Sequence, residues 1–387
     1  MRLLPVGVLA LALLAGCADD ADGPAPGPTS DPSSEPPATS AEPTRGTDPT
    51  SSGSSTPTVR VDGTPDVVAT AATGLDTPWG VDFLPDGRAV VTERDTARVL
   101  LVDPPRGDAP GKVVETGMVP KVVAEGEAGL LGVAVSPDFE DDRFVYFYVC
   151  TAEDNRVVRA TLDGNRLDAP EPVLTGIPNG FIHDGGRLLF DPDGMLLVST
   201  GETGEASLAR DRSSYAGKIL RITPEGEPAP DNPFGTEVWS WGHRNVEGLA
   251  FDGDGRLWAS EFGQDAFDEL NLIRPGDDYG WPEVEGEGGG DRYVDPALTW
   301  TTDEASPAGL AFAGDHLWMA ALRGERLWRI TVDGRRGTDP TAFLTGEHGR
   351  LRTVATAPDG ALWLTTSNND GRGTPGPDDD RILVINP

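Results

Sequence analysis

The chain has 387 residues, with 31 Lys and Arg against 64 Asp and Glu, a formal net charge of −33. Phosphate backbones and anionic lipid need clustered basic side chains, so this balance argues against nucleic acid as a partner and against docking of the folded surface on a membrane. The two cysteines, Cys17 and Cys150, are too few for a disulfide framework.

The N-terminus comes first. Met1-Arg2 is a short basic start, and 3–14 are an apolar stretch of signal-peptide length, too short for a transmembrane helix. It ends in Leu14-Ala15-Gly16-Cys17, which resembles a bacterial lipobox. Residues 1–16 are therefore expected to be a lipoprotein signal, and Cys17 the lipidated residue, since two or more acyl chains anchor stably. The segment 17–58 is Pro, Ser, Thr, Gly, Asp and Glu with few large apolar side chains. It cannot bury enough surface to offset its ordering entropy and is predicted to be a disordered linker. The expected location is outside the cytoplasm, anchored to the cell membrane of a bacterium only through the N-terminal lipid.

From 59 to 387 one pattern recurs six times: an apolar run, a turn rich in Pro, Asp and Gly, and a second apolar run. The copies begin at Gly80-Val81-Asp82-Phe83, Gly132-Val133-Ala134-Val135, Gly186-Arg187-Leu188-Leu189, Gly248-Leu249-Ala250-Phe251, Gly309-Leu310-Ala311-Phe312 and Val354-Ala355-Thr356. Pro presets φ at a turn position and Gly accepts φ > 0, so each copy predicts a hairpin. A third strand-like run follows each, from Arg98-Val99-Leu100 through Arg381-Ile382-Leu383. Hairpins repeating at a period of roughly 50 residues predict propeller blades. The fold class is all-β, a single six-bladed β-propeller, with Val67-Val68-Ala69-Thr70 predicted to pair beside Ile382-Leu383-Val384 and close the ring. Cys150, in Tyr146-Phe147-Tyr148-Val149-Cys150, is predicted to be a buried apolar residue.

Loops from every blade converge at one end of a propeller channel, so polar residues beside the repeats are the candidates. Of four histidines, His316 lies in a hairpin turn, while His183, His243 and His348 each precede a blade. A histidine near pH 7 is a natural proton acceptor. Arg244, Arg323, Arg350 and Arg352 fall at similar phases of the repeat. A cluster of guanidinium groups suits a multiply carboxylated or phosphorylated ligand, although each Arg can instead pair with a neighbouring acid. The loop Glu261-Phe262-Gly263-Gln264-Asp265 combines backbone carbonyls with carboxylates and suits Ca²⁺.

At these residues the chain resembles the glucose/sorbosone dehydrogenase family, PQQ-dependent six-bladed propellers. The resemblance rests on Gly126-Glu127-Ala128-Gly129-Leu130-Leu131-Gly132, His183-Asp184-Gly185-Gly186-Arg187-Leu188, Gly217-Lys218-Ile219-Leu220-Arg221, Gly242-His243-Arg244-Asn245, Asp268-Glu269-Leu270-Asn271 and Tyr279-Gly280-Trp281-Pro282. It implies that His183 is the base taking the proton from a sugar's anomeric hydroxyl as hydride passes to PQQ. It implies that Arg244 and Asn245 contact PQQ and steady charge on its quinone oxygen. Arg323, Arg350 and Arg352 match binders of its carboxylates. Gly263 and Gln264 match the carbonyls that hold Ca²⁺. Glu127 stands where the glucose enzyme has Gln beside the cofactor, Asp184 follows the base where Gln or Asn is common, and Thr203 replaces another Gln. The implied activity is oxidation of an aldose to its lactone, with electrons passed to an external acceptor. Two other readings stay open: a non-catalytic sugar- or protein-binding propeller, and a metal-dependent lactonase using Glu93, Glu127 and Asp184.

Overall fold

The computed structural model describes residues 63–387. Cys17, the signal stretch and the linker to residue 58 lie outside the described residues. The architecture is six antiparallel sheets arranged as blades. Blade 1 runs from Pro78–Phe83 at the channel to Val113–Met118 at the rim, and blade 2 from Leu130–Val135 to Glu171–Ile177. Blades 3, 4 and 5 begin at Leu188–Phe190, Val246–Phe251 and Pro307–Ala313. Blade 6 begins at Leu351–Thr356 and takes its outermost strand, Asp66–Ala72, from the other end of the chain. That strand pairs antiparallel with Ile382–Asn386, Thr70 opposite Leu383. The ring is therefore closed as predicted, and two sheet edges that could template aggregation disappear.

The hairpins form for the reason read in the sequence. Gly87, Gly194, Gly255 and Gly360 occupy the same turn in four blades, all at φ between 77° and 88°. An L side chain is strained in that region, whereas Gly is not. Within blades, alternation sorts side chains to two faces. On Phe144–Cys150, Val145, Phe147 and Val149 face the interface with blade 1, while Tyr146, Tyr148 and Cys150 face blade 3. One buried apolar cluster fills each of the six interfaces between neighbouring blades. Cys150 is 1 % exposed, as predicted.

Apart from Asp66–Ala72 in blade 6, the rim strands were not foreseen. Arg336–Phe343, RGTDPTAF, carries little apolar pattern and is largely exposed. It forms because the strand Arg326–Asp333 offers it a ladder, not because its sequence demands a strand.

The innermost strands share one direction, so their first residues surround one mouth of the channel and their last residues the other. Between the mouths lies Arg187. Its Nε donates to the Glu247 carbonyl at 2.8 Å, its Nη2 to Thr353 Oγ1 at 3.1 Å, and its guanidinium stacks 4.4 Å from the Trp79 ring. This buried partition ties blades 1, 3, 4 and 6 together across the axis. Burial pulls its pKa down to about 10, so it remains charged at neutral pH.

Candidate active site

At the mouth where the innermost strands begin there is a cavity of about 180 Å³. Its lining includes Trp79, Glu127, Asp184, Glu247 and Phe262, together with Arg323, Arg350, Arg352 and Arg372. Four guanidinium groups thus meet in a chain of strongly negative net charge.

His183 enters from the loop that precedes blade 3. Its backbone is left-handed, φ 58°, which costs a non-glycine residue free energy and is kept where surrounding contacts impose it. Those contacts are its own N–H, donated to Glu127 Oε2 at 2.9 Å, and its carbonyl, which accepts the Thr203 N–H at 3.1 Å. Its Nδ1 lies 2.5 Å from Glu202 Oε1. An ionised Glu202 can only accept, so Nδ1 carries the proton and Nε2 presents its lone pair. Glu202 is buried, 3 % exposed. The pair has the geometry of a base with an orienting carboxylate behind it.

Of the two acids that depart from the family pattern, Glu127 is paired through both oxygens, whereas Asp184 is bonded through Oδ1 and its buried Oδ2 has no partner among the described residues. Burial disfavours the Glu127 carboxylate, but the His183 N–H and Arg372, 2.9 Å from Oε1, outweigh it and hold its carboxyl below the usual range. Asp184 accepts from Asn155 Nδ2 at 2.8 Å and the Gly180 N–H at 3.2 Å. Burial pushes it up to about 6.

The arginines differ among themselves. Arg350 donates from Nε to Asp370 Oδ2 at 2.8 Å, and Arg352 from Nη1 to Glu247 Oε2 at 2.7 Å. Burial works against the Asp370 carboxylate, yet Arg350 and Arg352 hold it below its ordinary value. Burial raises Glu247, with Arg352 opposing. Arg323 also lines the cavity but is 61 % exposed and pairs with Asp303. Arg244 lies beside the cavity: its Nη1 reaches the carbonyl of cavity-lining Phe262 at 3.3 Å, and its guanidinium sits 5.5 Å from the Trp281 ring. Its Nε is buried with no partner. A buried donor without an acceptor is costly, and a bound anion would satisfy it. Asn245 is buried and accepts the Gly185 N–H at 3.0 Å.

Gly263 and Gln264 follow Phe262 on the same loop. No hydrogen bond among the described residues is donated to their carbonyls. Two free, hard oxygen donors beside a carboxylate-rich segment fit Ca²⁺.

Two histidines were grouped wrongly with His183. His243 is fully buried between blades, bonded through Nε2 to Ser240 Oγ and through Nδ1 to Glu261 Oε2, and stacked on Tyr279 at 4.6 Å. His348 lines an outer cleft with Asp66 and Phe343, away from the channel. Sequence phase placed them in loops, but loop position does not set which way a side chain turns. His316 opens the strand His316–Ala321 and is half-buried. Of the carboxylates in the lactonase reading, Glu127 and Asp184 share the cavity wall, but Glu93 does not join them. Glu93 is fully buried and bonded to Arg98 and Thr96, and among the described residues no three His, Cys, Asp or Glu are grouped to hold a metal ion. Sequence reasoning missed Glu202, Glu247 and Arg372. Glu202 and Arg372 lie in Gly-rich loops whose polar residues gave no pattern, and Glu247 stands in an inner strand.

A family model described as Glucose / Sorbosone dehydrogenase matches residues 75–375. A solved structure of the PQQ-bound form of an aldose sugar dehydrogenase from Streptomyces coelicolor shares 55% sequence identity, with a TM-score of 0.80, covering 83% of this chain and 97% of that one. Aldose sugar dehydrogenase YliI from Escherichia coli (strain K12) is 30% identical over 339 residues, 77% of this chain and 89% of the relative. Quinoprotein glucose dehydrogenase B from Acinetobacter calcoaceticus is 32% identical over 249 residues, 55% of this chain and 51% of the relative. The chain belongs to the glucose/sorbosone dehydrogenase family.

Proposed function

We propose that this member of the glucose/sorbosone dehydrogenase family oxidises an aldose sugar to its lactone with bound PQQ and Ca²⁺, and delivers the electrons to an external acceptor. The observation that carries this is the cavity in which four arginines gather next to the oriented base His183, with the buried Arg244 Nε left without an acceptor. The similarity to a PQQ-bound aldose sugar dehydrogenase supports the identity of the anion.

PQQ supplies a two-electron acceptor and Ca²⁺ a Lewis acid that polarises it. The protein does the rest. Arg323, Arg350 and Arg352 hold carboxylates at the cavity wall, with Arg350 and Arg352 already braced by Asp370 and Glu247. Arg244 and Asn245 meet developing negative charge, Arg244 through its free Nε. Gly263 and Gln264 offer their carbonyls to the metal. His183 Nε2 takes the proton of the anomeric hydroxyl, and Glu202 balances the charge that the ring gains. Arg187 and Trp79 close the channel beneath the site, limiting entry of water from the far side.

The test is a redox-dye assay on purified protein given PQQ, Ca²⁺ and glucose, galactose or xylose. Dye reduction that requires all three additions is the expected result; reduction of dye without PQQ, or none with any aldose, contradicts the reading. Attachment through a lipid on Cys17, outside the cytoplasm, belongs to the same proposal. An intact mass that lacks the acyl increment, or an increment that survives Cys17→Ser, would contradict that part.

A further inference from the structure

The Gly263–Phe267 loop bends around a single carboxylate oxygen. Glu285 Oε1 accepts the N–H groups of Gln264 at 2.6 Å, Asp265 at 3.0 Å, Ala266 at 3.0 Å and Phe267 at 3.1 Å. Four successive backbone donors converging on one anion form a nest. Because the peptide unit is planar and trans, its C=O points away from its N–H. The N–H of Gln264 shares a peptide plane with the carbonyl of Gly263, and the N–H of Asp265 shares one with the carbonyl of Gln264. The same two bonds that bind Glu285 therefore aim the Gly263 and Gln264 carbonyls to the side opposite Glu285.

The preceding peptide follows the same rule. The Gly263 N–H is held by Asp268 Oδ1 at 2.9 Å, and the carbonyl of that peptide, on Phe262, is turned to Arg244 Nη1. Gly263 admits no side chain: a Cβ there would stand 1.9 Å from the Phe267 carbonyl oxygen and 2.7 Å from Glu285 Oε1. The loop thus has one way to sit, and Glu285, half-buried twenty residues downstream, sets it.

We infer that Glu285 is a positioning residue for calcium, holding the Gly263 and Gln264 carbonyls in place without touching the ion. This rests on the calcium reading above. The carboxylate acts in two ways. It removes the freedom of two peptide planes before metal arrives, so less ordering entropy is lost on binding. Its charge also polarises each peptide through the N–H, which makes the carbonyl oxygen at the other end a better ligand. Direct ligation by Glu285 is incompatible with this geometry, because the carbonyls and the carboxylate lie on opposite sides of the same peptides.

The experiment is a Ca²⁺ titration of the full chain at fixed PQQ, followed by the absorption of the cofactor, for wild type, Glu285→Ala and Glu285→Gln. Thermal midpoints of the apoprotein without Ca²⁺ are recorded alongside. Loss of an outer-shell partner typically lowers metal affinity by about 10- to 100-fold, which is the expected rise in the Ca²⁺ midpoint for Glu285→Ala. Glu285→Gln keeps an oxygen for the N–H groups but loses the charge, and is expected to fall between the other two. Thermal midpoints without Ca²⁺ should stay close to wild type. An unchanged Ca²⁺ midpoint in both variants overturns the inference, as does a loss of affinity that follows a matching loss of thermal stability. Should Glu285→Ala not fold, Glu285→Gln decides alone by whether its midpoint moves. Cofactor binding by wild type that ignores Ca²⁺ overturns the calcium reading itself, and the positioning role with it; that outcome is distinct because it appears before any variant is made.

Discussion

At one mouth of the channel the innermost strands begin with Trp79, Glu247 and Arg352; at the other, the same strands end around Asp82 in Val135, Phe190, Phe251, Phe312 and Thr356. The first mouth gathers ionised side chains, nearly all paired, around an oriented histidine. The second is an apolar rim with one carboxylate. Asp82 accepts N–H groups from Phe83 at 2.8 Å and Val135 at 2.7 Å, so it stitches blade 1 to blade 2. The repeat demands only the strand and the turn. What differs between the mouths is what the loops bring: long interblade connections carry His183, Glu202, Arg244 and Arg372 to the first, whereas tight hairpin turns leave the second with strand residues alone.

This contrast can be broken from either end. The largest expected effect is His183→Ala, which removes the proton acceptor and should lower kcat by about 10²- to 10⁴-fold with cofactor still bound, measured in the dye assay. Next is Arg352→Ala. It leaves Glu247 buried and unpaired, and breaking a buried pair in this way costs about 3–5 kcal/mol, to be read from urea denaturation. PQQ affinity should fall in the same variant. A stability loss under 1 kcal/mol would show that the pair is dispensable.

At the far mouth the expected changes are smaller and leave activity alone. Burial raises Asp82 to about 6, the two N–H groups opposing. A carboxyl whose folded pKa lies above its unfolded value binds protons more tightly when folded. Its contribution to stability is therefore present below about pH 4 and is lost as pH rises through about 6, a change of order 1 kcal/mol for a half-buried group. Asp82→Asn should flatten that part of the stability profile while kcat stays within twofold. A large fall in kcat would mean that the two mouths are coupled through Arg187 and Trp79. The smallest effect is expected of Arg372→Ala, whose side chain is 56 % exposed in its pair with Glu127. Without Arg372, Glu127 protonates at higher pH and loosens its hold on the His183 N–H. Activity should drop about two- to fivefold on the acidic limb, the size of a partly exposed ion pair, and little at pH 8.

The blades and their closure were legible because a turn that needs Pro, Asp and Gly cannot be hidden, and because inner strands are buried on both faces. The rim strands of the other five blades were not, since exposed edges tolerate sequences such as RGTDPTAF. His183 was legible from its motif. Its partners were not: Glu202 lies 19 residues away and Arg372 is 245 residues from Glu127, joined only when the ring closes. His243 shows the converse error. It sits at the same phase as His183, but Tyr279, Ser240 and Glu261 enclose it completely. Phase in a repeat tells which end of the barrel a residue reaches, and packing decides whether it faces the channel.

The central claim is that the charged mouth is a PQQ site. The most direct measurement is equilibrium titration of PQQ into the apoprotein with millimolar Ca²⁺, following the cofactor spectrum in wild type and in Arg350→Ala. Saturable binding with one cofactor per chain, weakened in Arg350→Ala, is the predicted result. No binding at any Ca²⁺ concentration, or binding that ignores Arg350, would contradict it.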